Sequence, residues 1–312
     1  MSSIRQTSTS NRTLGRAGGC AGLLLGMVFF LGAACNPPEG GPVRQSGRQK
    51  PSRNLSEIVS TIEENASRLD RALWSKSVRV TARIADRKGK EHVYSFDGSL
   101  LFRHPRSLNM SMRHGLGGNT VMQVGSNDGE YWAWIEPEIQ QMWWGHHSNS
   151  GRDCVERISF RPEQMVAALG IGGLPTGDPN LSGPTLEAGK QYDIINYTSP
   201  SVGGDSYVSR QYYVDRRPPY QVRLIAALDH RGRKTMTAYL DDYKPTWNGG
   251  PVVPSGISIF WPEEGGKFTI KLNGVTGKSD GEISNSAFIR PQGDQLPARV
   301  RSNIVQIDAA CN

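Results

Sequence analysis

Apolar residues recur at steps of three and four from Leu55 to Leu73: Leu55, Ile58, Val59, Ile62, Ala66, Leu69 and Leu73. The spacing predicts an amphipathic helix of about five turns, with Glu63, Glu64, Arg68, Asp70 and Arg71 on its other face. Asn54 stands at the capping position, and Glu57 three residues later completes a capping-box pattern. At Ser77 the period drops to two. Val78, Val80, Ala82 and Ile84 alternate with polar residues, Arg87-Lys88-Gly89-Lys90 turns the chain, and Val93 to Phe102 runs back. After Pro105, Leu108, Met110 and Met112 share one strand face while Asn109, Ser111 and Arg113 take the other. Thr120 to Val124 is the next strand, and Asn127-Asp128-Gly129 is a strong hairpin signal before Glu130 to Glu136 and Ile139 to Trp144.

Pro162 at a first-turn position and Gly170 as terminator predict a short second helix carrying Met165, Val166 and Leu169. Residues 171–190 are rich in Gly and Pro and read as a long loop. Strands then resume at Tyr192–Tyr197, Tyr207–Asp215, Tyr220–Asp229, Lys234–Tyr243, Gly256–Trp261 and Lys267–Val275. About eleven antiparallel strands with two helices give an α+β chain, mostly β. The expected form is a curved antiparallel sheet, an incomplete half barrel lidded by the N-terminal helix and the short central one. Nothing in the pattern calls for a second domain.

The N-terminus changes where this domain works. Arg5, Arg12 and Arg16 precede an apolar run, Ala21 to Leu31, which small residues follow up to Cys35. A basic start, a short apolar stretch and a small-residue exit make an export signal. The run is shorter than the roughly 20 residues a membrane-spanning helix needs. A cysteine after the small residues resembles the bacterial lipoprotein signal, although Gly32 stands where leucine is usual. Residues 1–34 are therefore expected to be a leader, Cys35 the acylated residue, and 35–53 a flexible basic tether. An ordinary secretory signal with an incidental cysteine is the alternative. Of the formal charge of +7, the three leader arginines take +3 and the stretch 36–53 (Arg44, Arg48, Lys50 and Arg53 against Glu39) another +3, leaving about +1 on 54–312. No basic patch of the kind nucleic acid requires is called for, whereas a basic tether next to an acyl group suits anionic lipid head groups. In an exported chain the remaining pair, Cys154 and Cys311, is a candidate disulfide.

Several motifs, in order, resemble those of the LolA/LolB lipoprotein-carrier family and the related mycobacterial lipid-binding lipoproteins. They begin with the amphipathic helix running into long strands (Leu55 to Ile84). The corner Phe102-Arg103-His104-Pro105-Arg106-Ser107-Leu108 and the hairpin Asp128-Gly129-Glu130-Tyr131-Trp132-Ala133-Trp134-Ile135-Glu136-Pro137 follow. Tyr213-Val214-Asp215, Pro254-Ser255-Gly256-Ile257 and Ala287-Phe288-Ile289-Arg290-Pro291 complete the series. The resemblance covers about 54–291 and leaves 292–312 as a C-terminal tail. It implies an open half barrel with an apolar cavity for acyl chains, a monomer, and transient exchange with a partner carrier or transporter.

Four of the seven tryptophans, Trp132, Trp134, Trp143 and Trp144, lie within this hairpin region. By strand parity Trp132 and Trp134 share a face, as do Met142 and Trp144. With Leu108, Met110, Met112 and Met122 they are the candidate lining of the cavity, methionine adapting its shape to irregular ligands. A filled core under the first helix is the competing reading. His146, His147, Asp153 and Cys154 lack a metal-ligand spacing and read as a solvated loop. Asp241-Asp242, Glu263-Glu264 and Glu136/Glu138 read as turn acids, and no Gly-x-Ser-x-Gly elbow or cofactor motif occurs. The expectation is therefore a non-enzymatic, lipid-anchored envelope protein, on the outer membrane rather than the inner, that binds acyl chains of lipoproteins or lipids. The alternatives are a structural or interaction lipoprotein with a filled centre, or a secreted hydrolase using surface acids.

Overall fold

The computed structural model describes residues 53–311 apart from 87, 116–117, 137–138, 151, 153, 156–157, 159, 179 and 202–203. The leader, Cys35 and nearly all of the tether lie outside the described residues. The first helix, α1 (Leu55–Ser67), is capped by Asn54, whose side chain accepts the Ser56 N–H at 3.1 Å. Glu57 does not close the capping box; it turns to Arg53 at 3.0 Å. The helix is also shorter than the periodicity predicts. Leu73 belongs to strand β1 (Ala72–Ala85), opposite Phe102 and Gly277. A bulge between Ser75 and Val78 shifts the parity of β1 there, so Leu73 falls in step with the helix by coincidence and with the sheet by pairing.

The first meander continues through β2 (Glu91–Arg103), β3 (Ser107–Arg113), β4 (Thr120–Ser126), β5 (Glu130–Ile135) and β6 (Gln141–His146). Asn127 shapes the β4–β5 turn by accepting the N–H groups of Gly129 and Glu130. Helix α2 (Pro162–Ala168) follows, then a second meander: β7 (Ser182–Ala188), β8 (Tyr192–Pro200), β9 (Ser206–Asp215), β10 (Val222–Leu228), β11 (Lys234–Pro245), β12 (Val252–Trp261) and β13 (Gly266–Lys278). Helix α3 (Ala298–Arg301), β14 (Ile304–Gln306) and a 3-10 turn over Ala309–Cys311 end the described chain. The two meanders join where β1 pairs with β13, giving one curved, unclosed sheet of fourteen strands in the order β14-β6-β5-β4-β3-β2-β1-β13-β12-β11-β10-β9-β8-β7. Every pairing is antiparallel except β14 with β6.

The strands beyond the expected eleven come mainly from segments read as loop and tail. Ser182–Ala188 forms an edge strand in spite of Gly183 and Pro184, because the outer edge of a sheet tolerates a missing N–H. The segment from residue 292 folds back onto the first meander. There Leu296 and Val300 cover the outer face of β5 and β6, β14 extends the sheet, and Cys311 is disulfide-bonded to Cys154.

The inner face carries both helices and the main core. Ile58, Ile62 and Ala66 of α1 are buried there, as are Met165, Ala168 and Leu169 of α2 with the inward residues of most strands. Burial of each isoleucine contributes roughly 1.5–3 kcal/mol. Helix α2 touches β4 and β5 on one flank and β11 on the other, so it bridges the half barrel across its interior. Gly170 ends α2 with φ +65°, and a Cβ there would sit 2.3 Å from Leu240 Cδ1. The left-handed backbone therefore favours glycine at this stop, and any other residue would also have to displace the Leu240 side chain.

Candidate ligand site beneath the first helix

A cavity of about 180 Å³ opens between α1 and the second meander. Aliphatic walls come from Ile62, Ile171, Val222, Ile225 and Val252; Tyr212, Tyr220 and Tyr243 bring aromatic surface and hydroxyls. Tyr243 donates to the Val222 carbonyl at 2.5 Å, and Tyr220, held at φ +54°, reaches Glu57 Oε1 at 3.4 Å. Burial raises the phenol pKa of Tyr212 and Tyr243, so both stay neutral donors. The wall is thus apolar with a few oriented polar groups, the pattern of a small-molecule site.

Helix α1 is pinned over this cavity by reciprocal polar contacts. The Asn65 amide donates to the Val252 carbonyl at 2.9 Å and accepts the Val252 N–H at 2.8 Å. Glu63 Oε1 accepts the Leu174 N–H at 3.0 Å, tying the other side of the helix to the segment after α2. These four residues hold backbone and side chain in register as one strand would hold another.

The eight residues expected to line one cavity lie on two surfaces. Leu108, Met110, Met112 and Met122 point inward and are fully buried in the main core, packed with other side chains and away from the cavity. Trp132, Trp134, Met142 and Trp144 lie on the opposite, outer face, where Leu296 and Val300 cover them. The parity of β5 is responsible: Tyr131, Ala133 and Ile135 take the inner side, joined from β6 by Trp143. Trp132 lies flat on Gly125, whose hypothetical Cβ would be 2.2 Å from the indole. Arg290 stacks on Trp144 at 3.9 Å and pairs with Glu130 at 3.1 Å.

Of the loop histidines and turn acids expected to be solvated, His147 and Glu264 are largely buried, while the His146 side chain stays 39% exposed. Nε2 of His147 lies 2.9 Å from Ser126 Oγ, and burial, aided by Arg106, lowers the imidazole pKa to about 4. His146 Nδ1 lies 3.0 Å from Asp308 Oδ2. Burial alone would raise Asp308, but hydrogen bonds from Asn149, the His146 N–H and Gln306 hold it down at about 2. Asp153 lies outside the described residues. Glu264, expected as a turn acid, is buried and accepts from Arg161 Nε at 3.0 Å. Glu163 of α2 completes this buried cluster; burial pushes its pKa up to about 7 against the pull of Arg161. No group of metal-ligating side chains occurs among the described residues.

The walls that the second meander gives to the cavity carry no local sequence signal, because strand alternation marks buried positions without marking which of them α1 leaves unfilled. Asn65 did leave a trace, as a polar residue beside the buried stripe of Ile62 and Ala66.

No protein-family model and no curated protein matches the sequence. Among solved structures, the LolA superfamily protein NE2245 from Nitrosomonas europaea aligns over 77% of this chain and 99% of its own, with 13% identity and a TM-score of 0.46. The chain is similar to a LolA superfamily protein. A DUF1329 family protein from Desulfovibrio piger aligns over 74% of this chain and 97% of its own, with 13% identity and a TM-score of 0.45. A domain from Vibrio parahaemolyticus, described as an outer membrane lipoprotein-sorting protein, aligns over 75% and 97%, with 10% identity and a TM-score of 0.43.

Proposed function

We propose that the chain is a lipid-anchored, non-enzymatic envelope protein that takes up an acyl chain of a lipid or lipoprotein beneath α1. Acylation at Cys35 would hold it to a membrane, the outer one in this reading, with 36–53 as tether. The observation that carries the reading is the apolar cavity under α1, lidded by a helix whose polar clamps are few. At about 180 Å³ it is smaller than the roughly 300–1,000 Å³ of small-molecule sites, so uptake requires α1 to lift. The lift breaks the two Asn65–Val252 hydrogen bonds and that from the Leu174 N–H to Glu63, at about 1 kcal/mol net each, along with the longer contacts of Thr176 with Glu63 and Tyr220 with Glu57, both 3.4 Å. A ligand that buries methylenes at about 0.8 kcal/mol each offsets the first three bonds with about four of them. Further methylenes replace the apolar contact that Ile58 and Ile62 give up.

A second reading has its own support. Met110, Met112 and Met122 are fully buried, so the interior under the first meander is filled by side chains, as a structural or interaction module would have it. Titration of the Cys35→Ser chain with palmitate, followed by calorimetry, separates the two. Saturable binding that Ile225→Phe abolishes by filling the cavity supports uptake; no heat in either protein leaves the structural module.

A further inference from the structure

The outer face of the sheet is covered unevenly. Over the first meander the segment 285–300 lies across it: Asn109 and Asn127 donate to the Ala287 and Phe288 carbonyls, and Leu296 and Val300 seal the indoles. Over β9–β13 and β1 the register arranges the outward side chains in rows, in which Ala226 and Thr237 are buried while Tyr239 and Phe260 are exposed. One row runs Tyr213, Leu224, Tyr239, Ser258, and the next runs Ala226, Thr237, Phe260, Lys267, Arg83. Tyr239 is 50% exposed and Phe260 42%, diagonal neighbours on adjacent strands within reach of each other. Cations flank them. Lys267 is directly opposite Phe260, Lys271 lies four residues on along the same face, opposite Arg79, and Lys234 Nζ sits 6.0 Å from the Tyr213 ring centre. Arg79 and Arg83 are paired with Asp97 and Glu91, whereas Lys267 and Lys271 form no ion pair among the described residues; the nearest acid in register with Lys271 is exposed Asp241, across Gly256 in the same row.

We propose that this face of β11–β13 docks on an anionic phospholipid surface. Tyrosine and phenylalanine rings suit the boundary between head groups and acyl chains, and the unpaired lysines complement lipid phosphates. A second copy of the chain would set lysine against lysine. The Cys154–Cys311 disulfide places the fold in an oxidising compartment, which disfavours nucleic acid as the partner of an aromatic, basic face.

The test is co-sedimentation of the full chain carrying Cys35→Ser, so that no acyl anchor contributes, with vesicles. Phosphatidylglycerol mixed with phosphatidylcholine is compared with phosphatidylcholine alone. Binding to the anionic vesicles only, weakened by salt, is expected. Lys267→Gln/Lys271→Gln should weaken it about thirtyfold, and Tyr239→Ser/Phe260→Ser about tenfold or more. Both pairs lie on the surface, and unchanged tryptophan fluorescence checks the fold. Three outcomes overturn the proposal: no binding by the parent, equal binding to neutral vesicles, or both variants binding like the parent, which would assign the affinity to the basic tether. Preferential binding of single-stranded DNA would overturn it as well.

Discussion

Glu163 and His147 are two titratable residues that burial moves in opposite directions. Glu163, at about 7 in the fold against 4.5 unfolded, stabilises the protein fully below pH 4.5, and that contribution is lost as pH rises through 7. The amount is on the order of 3 kcal/mol. His147, at about 4 in the fold against 6.5, contributes stability above pH 6.5 that is lost as pH falls through 4. Between about pH 4.5 and 6.5 the two slopes oppose each other, so urea midpoints of the parent should change little there. Glu163→Gln should leave the His147 slope alone, with stability rising with pH, and should exceed the parent at pH 8; a parent-like profile would contradict this. Asn65 belongs to the same scale. Asn65→Ala removes both hydrogen bonds to Val252 and leaves a backbone pair without its partner, at a cost of about 1–3 kcal/mol. Amide exchange of α1 should quicken well before that of β1, whereas uniform exchange would mean α1 has no independent opening.

At the scale of elements, the alternating strands and both helix starts are legible in the sequence, because periodicity and capping residues act locally. The stop of α1 is not, since the bulge at Ser75 changes which residues count as inward. The same local logic read Trp132 and Trp134 as sharing a face but left open which face. That depends on Leu296 and Val300, more than 160 residues away, and no local pattern announces them. The C-terminal segment is therefore an element whose value is in what it covers. Its disulfide closes a loop with sequence separation 157, and loss of such a link costs about 2–5 kcal/mol. Cys311→Ser should lower the urea midpoint and red-shift tryptophan emission as Trp132 and Trp134 gain water; an unchanged emission maximum would show that β14 and α3 hold the segment unaided.

Over the whole molecule, the two meanders have different roles although one sheet carries both. Beneath the first, methionines fill the interior, and a ring cluster in which Phe160 lies 5.2–6.0 Å from Trp143 of β6, Trp261 of β12 and Phe268 of β13 carries the filled part across to the end of the second. Beneath the second, α1 spans a cavity. The half barrel and its lids were readable from element order, whereas the position of the cavity was not, because it depends on how far the filled part extends. The most direct measurement is photo-crosslinking of a diazirine-bearing palmitate to the Cys35→Ser chain, mapped by peptide mass spectrometry. Label is expected on 61–68 and 219–225, and to vanish with Ile225→Phe. Label on 107–124 instead, or none above background, would contradict an acyl site beneath α1.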